Sequence, residues 1–380
     1  MKVNTHEFAQ EYTLLECIQC GRCTGGCPVS IKTALNIRSI IYEVLLQDTI
    51  EVSGMEVLWD CTNCLTCTLR CPKDIHPADV IMGLRGYVVN EGREVPPRVR
   101  DALMSVFTRG NTLGFPTEDR DKWTEGLDFE VKNVLEEGQT DLLFYIGCTP
   151  SYDPRVQPVA RALATVFQRL GLDFGTMGVD EMCCGNEIKR IGEAEGFESL
   201  VEEAHEMYQE FEAQRMVTVS PHCYNTFKNE YGDMPFEVQH YAQFLTELLE
   251  SGKLTFQNEV RKKVTYHDPC FLGKHNGVYD EPRYILQSIP GLEFEDLDRS
   301  RERSVCCEGG GGRMWAEGTN AEERLAHQRV RDAVALGADV LAVACPFCLL
   351  TLEDAVKILG LEDQLQVMDI MELVAQAMGE

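Results

Sequence analysis

The sequence is poor in positive charge and lacks long apolar runs. Its 380 residues carry 62 acidic and 35 basic side chains, a formal net charge of −27. This balance argues against binding to a nucleic-acid backbone or to anionic lipid. No stretch offers the roughly 18 consecutive apolar residues that a membrane span needs, and the opening residues MKVNTHEFAQEYTLLE contain no apolar signal core. We therefore expect a cytoplasmic protein without a nucleic-acid partner or a direct membrane span.

A flavin or nicotinamide fingerprint is also missing, so we expect flavin-containing or other redox subunits as partners for two-electron chemistry. What the chain has in abundance is cysteine, with 17 copies. In a reducing compartment thiols stay free of disulfides, and an odd number cannot pair completely within one chain. The cysteines therefore predict metal binding.

Eight cysteines form two runs of the pattern C-x2-C-x2-C-x3-C, each followed by proline. Three thiolates on one tight loop can reach the corners of a four-iron cube, and the fourth cysteine of such a run ligates the other cube. We therefore predict two [4Fe-4S] cubane clusters, held by Cys17, Cys20, Cys23 and Cys71 and by Cys61, Cys64, Cys67 and Cys27. Zinc, the alternative, usually takes two separated cysteine pairs.

Around these runs the pattern predicts two helices. The first is capped by Ser30 and carries an apolar stripe from Ile37 to Leu45, and the second follows Pro77 over about 78–90. The pair Pro96–Pro97 marks a boundary. We expect a ferredoxin-like domain over 1–97 and a connector over 98–138.

The remaining nine cysteines form an internal repeat. The second copy follows the first at offsets of 122, 123 and 125 residues, measured from Cys148 to Cys270, from Cys183 to Cys306 and from Cys223 to Cys348. A nearly constant offset indicates two copies of one structural unit. We place these copies at 139–255 and 256–380.

Each copy alternates short apolar runs with helix-like stretches, which predicts a parallel α/β sheet. The runs are 141–146, 215–219, 264–267 and 340–344, and the helical stretches are about 154–170, 193–214, 240–251, 281–288, 320–336 and 347–359. The cysteines then lie at the carboxyl ends of strands, where open α/β sheets bind ligands. The expected fold class is mixed α+β and α/β: a helical two-cluster ferredoxin-like domain followed by two repeated α/β units.

Each copy contains an adjacent cysteine pair, Cys183–Cys184 and Cys306–Cys307. Two adjacent thiolates with three more suit an enlarged iron–sulfur cluster in which one sulfur bridges irons. Four glycines, 309–312, could bring backbone close to that cluster, so Gly309 and Gly310 are candidate cofactor-binding residues. A phosphate-binding loop is the alternative, but the spacing matches no phosphate motif closely.

The pattern C-x(34–35)-C-C-x(35–37)-C-x-x-C resembles the cysteine-rich CCG domain of heterodisulfide reductases. The matching segments are MCCGNEIKRIGE, YHDPCFLGKHNGVYDEPR, CCEGGGGRMW and CPFC. In that family, the ferredoxin half resembles the C-type subunit and the CCG half the B-type subunit. The fused order resembles the D-type subunit and related subunits of class II benzoyl-CoA reductase-type complexes.

The resemblance implies a non-cubane [4Fe-4S] cluster that reduces a disulfide substrate or relays electrons. Its ligands in the second copy would be Cys270, Cys306, Cys307, Cys345 and Cys348, with Glu308 in place of the family's glycine. In the first copy Ser220 replaces one cysteine and leaves Cys148, Cys183, Cys184 and Cys223. This copy could hold an ordinary or altered iron–sulfur cluster, one with Ser220 as fifth ligand, or a structural zinc; we favour an iron–sulfur cluster.

Three other residues are candidates. Lys274 and His275 could stabilise a reduced cluster or deliver a proton, and His222 could hydrogen-bond a cluster sulfur. Their alternative is a structural or solvated role. We expect an iron–sulfur electron-transfer subunit of an anaerobic oxidoreductase complex. The alternatives are the iron–sulfur subunit of a glycolate or lactate oxidase-type complex and a pure electron-wiring subunit.

Overall fold

The structure is a computed structural model that describes residues 2–92, 95–320 and 322–379. The helices are α1 (Thr5–Glu11), α2 (Arg22–Gly26), α3 (Ile37–Leu46), α4 (Thr66–Leu69), α5 (Pro77–Glu91), α6 (Pro97–Arg109), α7 (Val134–Glu137), α8 (Cys148–Tyr152), α9 (Gln157–Arg169), α10 (Asn186–Ile191), α11 (Ala194–Met207), α12 (Pro221–Asn229), α13 (Tyr241–Glu250), α14 (Gly273–Asn276), α15 (Asp280–Ser288), α16 (Leu325–Ala335), α17 (Pro346–Leu359) and α18 (Ile370–Met378). The strands are β1 (Lys2–Asn4), β2 (Thr49–Glu51), β3 (Lys132–Asn133), β4 (Gln139–Tyr145), β5 (Phe174–Thr176), β6 (Glu212–Thr218), β7 (Glu237–His240), β8 (Lys263–Tyr266), β9 (Glu293–Phe294), β10 (Val340–Val343) and β11 (Gln366–Asp369).

The N-terminal part is helical, with β1 and β2 paired antiparallel. The buried face of α3 is the apolar stripe, but the predicted cap is wrong. Asn36 caps the helix by accepting from the Ser39 N–H at 3.0 Å, whereas Ser30 lies in the 3₁₀ turn Val29–Ile31. An asparagine directly before the first helical residue is better placed to satisfy a free N–H than a serine further upstream.

Helix α5 begins at Pro77, one residue before the predicted start, and Gly92 ends it with a φ of +68°. Proline suits the first helical position because its missing N–H would lack a helical partner there. Residues 98–138, expected as a connector, contain most of α6, the 3₁₀ turn Thr117–Thr124, β3 and α7.

Two parallel sheets follow, one in each copy of the repeat. The first has the order β3-β5-β4-β6-β7 and the second β11-β10-β8-β9, and neighbouring strands in both sheets pair in parallel. The expected mixed class with parallel sheets is thereby confirmed. The helix expected over 193–214 is too long, since α11 ends at Met207 and Glu212 already begins β6, donating its N–H to the Gly138 carbonyl.

Apolar side chains join these layers. All four residues of β10 are fully buried, because helices cover both faces of a parallel sheet. A second apolar cluster runs from the ferredoxin-like part into the first repeat and reaches Cys306. Among the helices that the structure describes, none combines the length and the apolar character needed to cross a bilayer.

Candidate metal centres

The seventeen cysteines gather into four groups. Site 1 comprises Cys17, Cys20, Cys23 and Cys71; site 2 comprises Cys27, Cys61, Cys64 and Cys67; site 3 comprises Cys148, Cys183, Cys184 and Cys223; site 4 comprises Cys270, Cys306, Cys307, Cys345 and Cys348. None of them forms a disulfide. These groups coincide with the ligand sets predicted from spacing, and their assignment as ligands remains a prediction.

Site 1 lies at the surface. Its four cysteines line one small cavity, with Cys71 arriving from the second run. Cys20 is exposed and the other three are half-buried. The backbone of Gln19 is left-handed, with a φ of +55°, and its side-chain Nε2 donates to the Cys17 sulfur at 3.4 Å. The crossed arrangement therefore brings a fourth thiol to a loop that carries three.

Site 2 is buried, with each of its cysteines at most 7% exposed. Burial raises the pKa of Cys61 to about 12, with Cys27 and Cys64 close enough to add to the shift. A thiol so buried ionises only when a cation replaces its proton, and metal binding does this. The donor set thus fits an iron–sulfur cluster, whose iron ions would neutralise the thiolates.

Site 4 lies where β8 and β10 end. Cys345 directly precedes α17, and the Cys307 and Cys348 sulfurs are 3.2 Å apart. Burial opposes ionisation of Cys345, but hydrogen bonds from Cys348 and His222 outweigh burial and lower its pKa to about 6. Four of the five cysteines are buried and Cys270 is half-buried. Five sulfurs at one sheet edge fit an iron–sulfur cluster.

The residue after each cysteine pair is left-handed. Gly185 has a φ of +74° and Glu308 a φ of +63°. This conformation favours glycine, so Glu308 departs from the family pattern at some backbone cost. Its N–H donates to the Cys306 sulfur at 3.3 Å, and its buried carboxylate accepts from the Leu325 N–H at 2.7 Å. The cysteine pair therefore keeps the same backbone turn in both copies.

The glycine loop packs against site 2 as well as site 4. A Cβ on Gly309 would lie 3.5 Å from the Cys307 sulfur, as expected of a residue beside the cluster. On Gly311 it would lie 2.8 Å from the Cys61 carbonyl, and on Gly310 3.1 Å from the Thr62 carbonyl. Gly310 and Gly311 thus allow close approach to the ferredoxin run, which spacing alone did not indicate.

His222 crosses from the first repeat to site 4. Its ring stacks on Phe271 at 4.2 Å, its Nδ1 lies 3.1 Å from Glu187 Oε1, and its side chain hydrogen-bonds Cys345. Burial lowers the pKa of His222, but the bonds to Cys345 and Glu187 outweigh it and raise the pKa to about 9. His222 thus lies beside Cys345 of the other repeat, and its hydrogen bond to a cluster sulfur remains a prediction.

Lys274 and His275 reach from the second repeat to the ferredoxin run. Lys274 Nζ is buried and donates to Thr66 Oγ1 at 2.8 Å and to the Ser304 carbonyl at 2.9 Å. His275 Nε2 donates to the Asn63 carbonyl at 2.8 Å, and burial lowers its pKa to about 3. Both side chains hold the two parts together, and proton delivery by either remains a prediction.

The residues around site 3 differ from those around site 4. The Cys184 and Cys223 sulfurs are 3.3 Å apart, and Ser220 Oγ accepts from the His222 N–H at 3.3 Å as the cap of α12. Arg120 Nη2 lies 3.9 Å from the Cys148 sulfur. Four thiols with a nearby cation again form a set that could hold a metal.

Sequence reasoning missed Arg85, which lies where the three parts of the chain meet. Its buried guanidinium donates to the carbonyls of Cys61 at 2.7 Å, Arg190 at 2.8 Å and Gly311 at 2.9 Å. A lone arginine within the apolar helix PADVIMGLRGYVVNE was the available signal. Buried cations are retained when several acceptors surround them.

His267 lies shortly before Cys270 in the chain, and sequence reasoning gave it no site. One of its ring nitrogens and the sulfurs of Cys307 and Cys348 lie within 4.8 Å of one another. Its Nδ1 accepts from Arg329 Nε at 3.3 Å. The strand β8 ends at Tyr266, which turns the histidine to the same sheet edge as the cysteines.

Family models match most of the site-bearing chain. The 4Fe-4S dicluster domain matches residues 13–75, and the cysteine-rich CCG domain matches 142–228 and 264–353. The D subunit of the dihydromethanophenazine:CoB–CoM heterodisulfide reductase from Methanosarcina barkeri is 30% identical over 96% of this chain and 93% of its own length. The chain belongs to this family of heterodisulfide reductase D-type subunits. The suspected family is thus confirmed, and the chain is an iron–sulfur oxidoreductase subunit with 4Fe-4S and CCG domains.

Two further proteins are similar to this chain. The probable iron–sulfur-binding oxidoreductase FadF of Bacillus subtilis is 36% identical over 86% of this chain, but the match spans 47% of the relative, about half its length. A hypothetical protein from Helicobacter pylori has a crystal structure with a TM-score of 0.55 and 10% identity, covering 99% of this chain and 72% of its own. The latter likeness concerns the fold alone.

Proposed function

We propose that the chain conducts electrons between site 1 and site 4 through site 2. Sites 1 and 2 each bind a [4Fe-4S] cubane, and site 4 binds a non-cubane [4Fe-4S] cluster. Such clusters, when bound, supply one-electron redox steps. The observation that carries the proposal is the direct contact between the two sites: the Cys306 sulfur of site 4 lies 3.3 Å from the hydroxyl of Thr62, which stands between Cys61 and Cys64 of site 2.

The chain's own residues favour this route. Lys274 Nζ donates to Thr66 Oγ1 at 2.8 Å, and this hydroxyl lies 3.3 Å from the Cys64 sulfur, so a fixed cation lies beside a ligand of site 2. The charge of Lys274 also acts on Cys270. A buried cation between two anionic centres stabilises the electron-rich form of both, because field effects are strong where water is excluded.

Site 3 lies beside this route. We propose an iron–sulfur cluster there as well, with zinc as the alternative, because thiolates are the usual ligands of both. The network from Asn186 and Glu187 to His222 connects α10, which follows the Cys183–Cys184 pair, with Cys345 of site 4. Site 3 would therefore affect site 4 through hydrogen bonds.

Two candidates exist for the end of the route. The five-cysteine set favours reduction of a disulfide at site 4, with flavin-containing subunits as electron partners. The burial of Cys306, Cys307, Cys345 and Cys348, each at most 4% exposed, favours a wiring subunit that passes electrons onward. The seventeen free thiols suit a reducing, cytoplasmic compartment in either case.

Iron analysis of anaerobically prepared protein tests the proposal. We expect roughly 12–16 iron atoms per chain, since three or four four-iron sites are available. The variant Cys307→Ala should lose the paramagnetic signal of the site 4 cluster while both cubane signals survive. The matched control, Cys184→Ala, alters the same position of the other pair and should leave the site 4 signal in place. About eight irons, the content of two cubanes alone, would reject a cluster at site 4.

Turnover separates the two end points. Purified protein with an artificial one-electron reductant and a heterodisulfide should release two thiols per two electrons if site 4 is catalytic, and Cys307→Ala should abolish this. A protein with full iron content that leaves the disulfide intact would instead be a wiring subunit.

A further inference from the structure

The surface around site 1 is unusually apolar. Leu15, Ile18 and Leu69 are 68%, 62% and 51% exposed. Leu15 and Ile18 lie on either side of Cys17, and Leu69 lies two residues before Cys71. Single exposed apolar residues are common, but a group around one site indicates an interaction surface. We name this group, together with the residues lining the site 1 cavity, the site 1 face.

The charge of the site 1 face is opposite to that of the chain. Arg22, Arg38 and Lys73 line the cavity, and the described lining residues include no carboxylate. Glu16 and Asp74 lie nearby; the Glu16 carboxylate is 3.2 Å from Lys73 Nζ, so these two charges cancel and Arg22 and Arg38 are the cations on which the face depends. On a chain of net charge −27 this face is a local cationic area.

Site 1 is also the accessible end of the route. Cys20 is exposed and its three partners are half-buried, whereas every cysteine of site 2 is buried. A protein partner seated on this face would therefore approach site 1 more closely than site 2.

We propose that the site 1 face docks an acidic one-electron carrier protein. The inference rests on the proposed function, because it requires a redox group at site 1. The carrier gives up one electron and is oxidised, and the group at site 1 accepts this electron and is reduced. No covalent bond forms or breaks. Apolar side chains would provide the contact area, and the cations would steer an acidic partner and fix its orientation.

Other occupants fit less well. A second copy of the chain, paired symmetrically through this face, would bring two cationic faces together. An anionic membrane is wider than the face, so it would also press against the acidic surface around the face of a chain of net charge −27. A small acidic protein can contact the cationic face alone and leave the surrounding acidic surface in solvent.

Binding of oxidised flavodoxin, a small acidic flavin protein, tests the inference without electron transfer. Calorimetry with the full chain should give an affinity that falls as salt rises, because the contact is partly ionic. The double variant Arg22→Glu with Arg38→Glu should weaken binding about tenfold or more at low salt, because it replaces attraction by repulsion. The matched control is Arg98→Glu with Arg100→Glu, the same charge change on α6, and it should change affinity less than about twofold.

A second variant avoids the charge change. Ile18→Ser should weaken binding also at high salt, where charges are screened. Equal weakening by both double variants, or an affinity independent of salt, would overturn the inference. So would binding to phosphatidylserine vesicles without binding to flavodoxin, or a dimer of the chain that Ile18→Ser dissociates. Iron content, measured on the same samples, tests the proposed function separately.

Discussion

The two CCG units share a backbone plan and differ at the residue that completes the site. In both, a strand leads to a helix with proline at its first position, α12 in the first unit and α17 in the second. The residue before the proline is Ser220 in one and Cys345 in the other. Ser220 uses its hydroxyl to cap the helix, whereas Cys345 provides no such cap and contacts Cys348 and His222. The same backbone position thus provides a helix cap in one unit and a fifth thiol in the other.

The contacts around site 3 and site 4 differ as well. Site 4 is contacted by Thr62 of the ferredoxin run, 3.3 Å from the Cys306 sulfur, and His222 of the first unit packs on Phe347 between Cys345 and Cys348, so all three parts of the chain meet there. Site 3 is contacted by its own unit and by the connector: Tyr231 donates to the Cys184 carbonyl at 3.3 Å, and Arg120 Nη2 lies 3.9 Å from the Cys148 sulfur. The comparison indicates that contacts from all three parts of the chain converge at the second copy.

Exchanging serine and cysteine at positions 220 and 345 should have the largest effect on the difference between the two units. Cys345→Ser should remove the site 4 signal and about four irons, because a buried thiol is replaced by a hydroxyl that ligates iron poorly. Ser220→Cys adds a fifth thiol to site 3 and should give it a spectrum like that of site 4. Iron analysis and electron paramagnetic resonance check both. A site 4 signal that survives Cys345→Ser would show that the fifth cysteine does not distinguish the two units.

Much of this comparison could be predicted from sequence. The offsets of the cysteines indicated the repeat, and apolar runs next to Cys148, Ser220 and Cys345 indicated strands ending at the sites. These features are local in the chain, so spacing reports them directly.

Contacts between distant parts could not be predicted in this way. Nothing near Cys64 in sequence indicates Cys306, 242 positions later, and nothing near His222 indicates Cys345. Such pairs depend on how the ferredoxin-like part packs on the repeats, and Arg85 fixes that packing through carbonyls that every residue possesses. Carbonyl acceptors leave no trace in the sequence.

A smaller effect concerns the left-handed residue after each cysteine pair. Glu308→Ala and Glu308→Gly both remove a buried carboxylate that faces Arg313 and Arg324, so both should lower the free energy of unfolding by about 3 kcal/mol. The alanine variant retains a left-handed φ and should be about 1 kcal/mol less stable than the glycine variant. Thermal unfolding under anaerobic conditions measures the difference.

The matched change in the first unit is Gly185→Ala. It introduces the same φ penalty, and its Cβ would lie 2.8 Å from the Phe197 side chain, so it should cost more than the difference between the two Glu308 variants. Equal melting temperatures for Glu308→Ala and Glu308→Gly would mean that the backbone at this position carries no strain.

The smallest expected effect compares the residues that cap the last helix of each unit. His240 caps α13 and Asp369 caps α18, each through a capping box, and the Tyr241 hydroxyl donates to Asp369 at 2.7 Å. Burial lowers the pKa of His240 to about 3 and raises that of Asp369 to about 7. Both groups are therefore neutral in the folded chain near pH 6, although each would be charged in an unfolded chain at about pH 5 to 6.

These shifts act on stability with opposite signs. The depressed pKa of His240 removes stability as pH falls below its unfolded value of about 6.5, and the raised pKa of Asp369 removes stability as pH rises from about 4 towards 7. Between about pH 5 and 6.5 they oppose each other, with Glu372 and Tyr266 also facing Asp369. His240→Gln should therefore become less stable as pH rises, and Asp369→Asn more stable, by up to about 1.4 kcal/mol per pH unit. Melting temperatures across this window check the prediction, and parallel pH profiles for the two variants would contradict it.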